Sequence, residues 1–249
     1  MKIAVCLRRV PDTTSKIVIG AGGTAIDETG IKFVPNPYDE YALEAAIALK
    51  DAAGGGETVV VAFGGDSVQE TLRTALAMGI DRAVHLQGTP SADGLANAQV
   101  LADHFHGAGI DLVLFGKLAV DDCGQQTGAM TAELLGLPCA TAITSLEIVD
   151  GRATVAREVE GGVEHAGCSL PAVFTCDKGL NTPRLPSLKG IMAAKKKPFE
   201  IVPVSTPAGR VQLVSLALPP ERAAGRIVGE GAAAVPALML LLTTEAKVL

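Results

Sequence analysis

Five short apolar runs punctuate the chain: Lys2–Leu7, Thr58–Phe63, Ala83–Leu86, Ile110–Phe115 and Ala172–Cys176. Runs of this length with little polar alternation are what strands covered on both faces require. Helical patterns lie between them, over Asp39–Ala53, Ser67–Met78, Ala92–Phe105 and Gln125–Leu135. In the second, Val68, Leu72, Ala75, Leu76 and Met78 recur at helical spacing, with Glu70 and Arg73 off the stripe. Asn36-Pro37 opens the first, since asparagine favours the cap and proline the first helical position. Strands alternating with helices predict an α/β fold, a parallel sheet flanked by helices.

The pattern changes after the fourth helix. Thr141–Ile148 and Ala153–Glu158 are strand-like runs around Asp150-Gly151, the signature of a small antiparallel hairpin. From about Lys178 the chain is dense in proline, glycine and lysine, and reads as a largely extended arm ending in an apolar helix over Ala234–Lys247. The expected division is therefore an α/β domain over 1–177, with the hairpin at 141–158, and an arm over 178–249. An arm of that length needs a surface for its Leu and Val side chains, either a partner chain or its own domain.

Composition narrows the function. The 249 residues are 48% hydrophobic and 19% charged, which excludes intrinsic disorder. A net charge of −6 with 3% aromatic residues gives neither a field for phosphate backbones nor a platform for bases, so no nucleic-acid partner is expected. The five cysteines are odd in number, contain no Cys-x-x-Cys pair and read as reduced thiols. The histidines have no ligand spacing, so no metal is expected. The N-terminus shows no export signal, and the most apolar stretch, Ala232–Leu242, is interrupted by Pro236 and too short to span a bilayer. A cytoplasmic protein without membrane insertion is the expectation.

Three strand-end loops carry the candidate chemistry. Gly116 to Gly128 follows a strand and enters a helix, where backbone amides and the helix dipole can hold a phosphate, Thr127 can add a hydroxyl, and Asp121 or Asp122 can accept from a ribose. It is neither a Walker A loop nor a Gly-x-Gly-x-x-Gly fingerprint. Taken alone it also suits an ordinary polar connection. Asn36-Pro37-Tyr38-Asp39 is a second helix start, with Tyr38 able to lie beside a planar ring, and Phe63-Gly64-Gly65-Asp66 ends another strand. On one edge of a parallel sheet the three would converge on one crevice.

These residues resemble the β subunit of the electron-transfer flavoproteins, from the first strand to about Gly225. Asn36–Asp39, Gln69–Gly79 and Gly116–Asp122 are similar to the family's nucleotide-side segments. More specific are Val155–Glu164, Leu170–Val173, Leu180–Arg184 and Ile191–Lys197, and Pro219–Gly225 also matches. Ala166 and Phe174 depart by apolar exchanges. The resemblance implies a Rossmann-like, adenine-nucleotide-binding β chain. Its heterodimer takes electrons from acyl-CoA dehydrogenase-type flavin dehydrogenases through FAD held mainly by the α subunit, and passes them to a quinone-side oxidoreductase. The β chain is then an electron-carrier subunit with no catalytic residue of its own. It also implies AMP bound near Cys6, by Asn36, Pro37, Tyr38 and Asp39, near Phe63, and along Asp121, Asp122, Cys123, Gly124, Gln125, Gln126, Thr127, Gly128, Ala129, Met130, Thr131 and Ala132. Leu188 corresponds to the leucine that anchors on dehydrogenases, in a segment that reads as an exposed loop.

Two other functions remain open at this stage. One is a β subunit of an electron-bifurcating, NADH-linked flavoprotein, with FAD in place of AMP. Asp122 and Gln126-Thr127-Gly128 side with the AMP type, while Cys123 and Gln125 stand where that type has Asp and Asn. The other is a stand-alone nucleotide-binding or nucleotide-hydrolysing α/β protein, for which no phosphate-transfer motif is present.

Overall fold

A computed structural model describes residues 1–222 and 224–249; Ala223, within the Pro219–Gly225 segment of the resemblance, lies outside the described residues. In chain order the strands and helices are β1 Lys2–Cys6, β2 Arg9–Pro11, β3 Phe33–Pro35, α1 Pro37–Ala52, β4 Glu57–Gly64, α2 Val68–Met78, β5 Arg82–Gln87, α3 Gly94–Phe105, β6 Leu112–Gly116, α4 Thr127–Leu135, β7 Cys139–Val149, β8 Arg152–Val159, β9 Gly162–Ser169, β10 Ala172–Cys176, α5 Leu188–Ala194, β11 Phe199–Pro203 and α6 Val235–Thr244. The fold is α/β, as the alternation requires.

Nine strands form one sheet in the order β11-β5-β4-β1-β6-β10-β7-β8-β9, parallel from β11 to β7 and antiparallel beyond. The apolar runs are buried because helices cover both faces. Leu43, Ile47, Leu72 and Leu76 of α1 and α2 pack with Ile3, Val5 and Val60 on one face. Val100, Leu101 and Phe105 of α3 and Ala132 of α4 pack with Val59, Val61 and Val113 on the other. From β1 the chain builds outward through β4 and β5, then returns by α3 to place β6 on β1's other side. That reversal opens a crevice outside the carboxyl ends of β1 and β6, where open α/β sheets bind ligands.

The antiparallel excursion has three strands, because Gly162–Ser169 adds β9 to the β7–β8 hairpin. The stretch after Lys178 is also more structured than the extended arm expected from its prolines. It contains α5, which rests on α2, and β11, which pairs with β5 and forms an edge of the sheet. The chain divides into two compact units, Met1–Ser215 and Leu216–Leu249. The second contains α6, an apolar helix with no buried residue. Among the described residues no helix is long and apolar enough to cross a membrane.

Candidate functional site

The crevice is built by one buried carboxylate. Asp39, in the first turn of α1 and 5% exposed, accepts from the amide of Arg8 beyond β1 (2.8 Å) and from the amide of Gly116 at the end of β6 (3.0 Å). It thereby joins the two strand ends that bound the crevice. Gly116 permits this approach, since a Cβ there would lie 2.7 Å from both the Asp39 nitrogen and the Tyr38 carbonyl carbon. Asn36 is fully buried and spends its side chain on the next loop, donating to the Leu118 carbonyl (2.8 Å) and accepting from the Val120 amide (3.2 Å). Both side chains therefore scaffold the crevice, leaving the backbone at its wall.

Burial pushes the Asp39 carboxyl up to about 7, against the opposing pull of the amides it accepts from. The unfolded value is near 4, so between about pH 4 and pH 7 the native chain holds a proton that the unfolded chain has lost. The stability from this group is fully present below the unfolded pKa and is lost as pH rises through the folded one. Asp39→Asn should remove that slope, which is on the order of 4 kcal/mol across the window. Urea unfolding from pH 4 to 8 would show it, and parallel wild-type and variant profiles would refute it.

From Lys117 the loop runs to α4. The Lys117 ammonium binds Asp177 (2.8 Å), which raises its pKa, and lies 5.1 Å from the centre of the half-buried Tyr38 ring. Asp121 through Gln126 are exposed. Cys123 and Gln125 take left-handed φ values of 51° and 56°, sparsely populated for residues with a Cβ and frequent in functional loops. Asp122 accepts from the Gly124 amide (2.9 Å). No side chain caps the start of α4, so donors of its first turn are left to a ligand or to water. Gly128 seats that turn against β10, where a Cβ would lie 2.7 Å from Thr175 Cγ2.

Sequence reasoning missed Arg8. Its guanidinium spans the crevice mouth from the β1 side to Asp121 (2.8 Å) and Asp122. An arginine just past an apolar strand, at an edge that also carries an acidic pair, was the available signal. The partners lie more than a hundred positions away, which no local pattern reveals.

The other candidates fall as follows. Cys6 is buried at the end of β1, its thiol pushed well up by burial, so it packs without acting as a nucleophile. Phe63 is half-buried near the end of β4. Its neighbour Gly64 is pressed by Val68, whereas Gly65 faces open space. Ala129 and Met130 are half-buried in α4. Thr131 and Ala132 are buried, with the Thr131 hydroxyl donating to the Thr127 carbonyl (2.8 Å). Leu188 is no loop residue; it starts α5 and is exposed. Among the described residues no group of three or more His, Cys, Asp and Glu side chains could hold a metal ion.

A doubly wound α/β domain belongs to the class of folds that take their ligands outside the strand ends at the switch point. Residues 23–207 match the family model described as electron transfer flavoprotein domain. The chain is 43% identical to the electron transfer flavoprotein subunit beta of Syntrophomonas wolfei, over 90% of this chain and 88% of that one. Identity to the protein of the same name from Bacillus subtilis is 41% over the whole of both chains, and to the human one 37%, over 90% of this chain and 91% of that one. The chain belongs to the electron transfer flavoprotein family, among its beta subunits.

Proposed function

We propose that this chain holds AMP as a structural ligand in the β1/β6 crevice and pairs with an α subunit that carries FAD. Electrons enter from flavin dehydrogenases of the acyl-CoA dehydrogenase type and leave to a quinone-side oxidoreductase, and the heterodimer works in the cytoplasm. The observation that carries the nucleotide reading is the α4 N-terminus, left without a side-chain cap beside an exposed loop at the switch point. The first-turn amides and the Thr127 hydroxyl would hold a monophosphate. Asp121 and Asp122 would accept from the ribose, and Tyr38 would lie beside the base. FAD supplies the electron-carrying chemistry from the partner chain, while this chain's residues bind, orient and dock. Leu188, with its exposed apolar neighbours on α5, would enter the dehydrogenase surface.

Denaturing the purified heterodimer and quantifying what it releases tests this reading. One AMP and one FAD per heterodimer are expected, with AMP reduced in Thr127→Val. Two FAD and no AMP, together with NADH-driven reduction of a low-potential acceptor, would assign the protein to the bifurcating class instead. A chain that is pure without any α subunit and turns over nucleotide would make it a stand-alone protein.

A further inference from the structure

The segment from Leu180 to Lys197 is tied to the helices beneath it at both ends. Near its start the Asn181 side-chain amide donates to the Tyr41 carbonyl of α1 (2.9 Å). Arg184 then forks onto Glu44 in the middle of α1. Its Nε donates to Oε2 and its Nη2 to Oε1, both at 2.8 Å, and its own backbone amide donates to Oε2 at 3.1 Å. The Glu44 carboxylate is 11% exposed and the Arg184 side chain 42%, so the two-pronged pair is sheltered on the carboxylate side and open to water on the other, and its bidentate geometry rather than burial gives it strength. At the far end the Lys197 ammonium donates to the Leu76 and Ile80 carbonyls at the end of α2 (2.8 and 2.6 Å). Gly190 lies so close to the Ala77 carbonyl that a Cβ would collide with it.

Between the two ties, Leu185, Leu188 and Met192 are 88%, 78% and 67% exposed. On a backbone already fixed at both ends, these side chains meet a partner without the cost of ordering the segment that carries them. We propose that the Arg184–Glu44 pair is a positioning device that pre-organises this apolar patch for the docking dehydrogenase. It rests on the reading that the dehydrogenase docks at Leu188, and it assigns to Glu44, which is buried on α1 beneath Arg184, a share of the affinity.

The test uses the heterodimer with an acyl-CoA dehydrogenase and its acyl-CoA substrate. Glu44→Gln and Arg184→Ala should raise the KM for the heterodimer roughly tenfold at unchanged kcat, because only the ordering cost of docking changes. Amide exchange over 185–192 should speed up while α1 and α2 stay protected, and released nucleotide should be unchanged. Arg184→Lys, which keeps the charge without the fork, should fall between. If Glu44→Gln does not fold, the half-exposed Arg184 variants carry the measurement. A raised KM in Leu188→Ala with wild-type KM in the Arg184 and Glu44 variants overturns the clamp and leaves the docking reading standing. An unchanged KM in Leu188→Ala overturns the docking reading, and the clamp with it. Unaltered exchange over 185–192 also overturns the clamp.

Discussion

Gly116→Ala should destabilise the Met1–Ser215 unit by about 3 kcal/mol and abolish retention of the proposed AMP. The added methyl would meet the Asp39 carboxylate and, at 2.7 Å, backbone atoms of Tyr38 and Asp39. Backbone at the start of a helix cannot swing aside as a side chain can, so α1 must move off the end of β6. That movement breaks the Asp39 bonds to the Gly116 and Arg8 amides and the Asn36 bonds to Leu118 and Val120. The loop entering α4 then loses its anchor, and nucleotide retention should fall with stability. In a unit of this size the loss corresponds to a melting shift of roughly 6–12 °C. Gly65→Ala is the matched control, because nothing lies within 4 Å of its added carbon, and it should stay within about 0.5 kcal/mol of wild type. A Gly116→Ala protein that melts with wild type and releases as much nucleotide would refute the scaffold described here.

The same contrast explains what the sequence made legible. β1, β4, β6 and β10 announce themselves because strands covered on both faces must be almost wholly apolar. Asn36-Pro37 marks the start of α1 by local chemistry alone. Once the strands are placed, the ends of β1, β4 and β6 converge by the topology of the sheet, so the crevice follows without long-range information. β9 was hidden because Val163, Glu164, His165 and Ala166 are all exposed, leaving no buried face to impose alternation. β11 was hidden between Pro198 and Pro203, which punctuate a chain yet are tolerated at a sheet edge. α5 is short and contains Gly190, whose role appears only when Ala77 of α2 is beside it. The side-chain work of Asn36 and Asp39 was likewise invisible, since a cap asparagine and a first-turn aspartate suggest their own helix. Their partners, Leu118, Val120 and Gly116, come from a strand end and loop more than seventy residues on.

Ending the chain after Ser215 should leave the first unit's unfolding within about 1 kcal/mol of the full chain and weaken α-subunit association at least ~100-fold. The two core clusters draw on residues up to Val204, so truncation removes none of the packing on either face of the sheet. The Leu216–Leu249 unit is different in kind. Its helix α6 buries nothing, and Val235, Leu238, Met239 and Leu240 stand in water, as does Ile227 ahead of it. A piece of 34 residues is below the size at which a chain builds its own core, and its Arg226–Glu245 pair is too exposed to compensate. Such a surface is stabilised when another protein covers it. Each of those side chains contributes about 1.5–3 kcal/mol on full burial, so partial burial of two or three accounts for the expected loss of affinity. Sedimentation of the truncated chain with the α subunit, beside thermal melts of the chain alone, measures both halves of the prediction. Unchanged association would mean that the α subunit binds elsewhere on the β chain, and a collapsed melt would mean that the terminal unit supports the first.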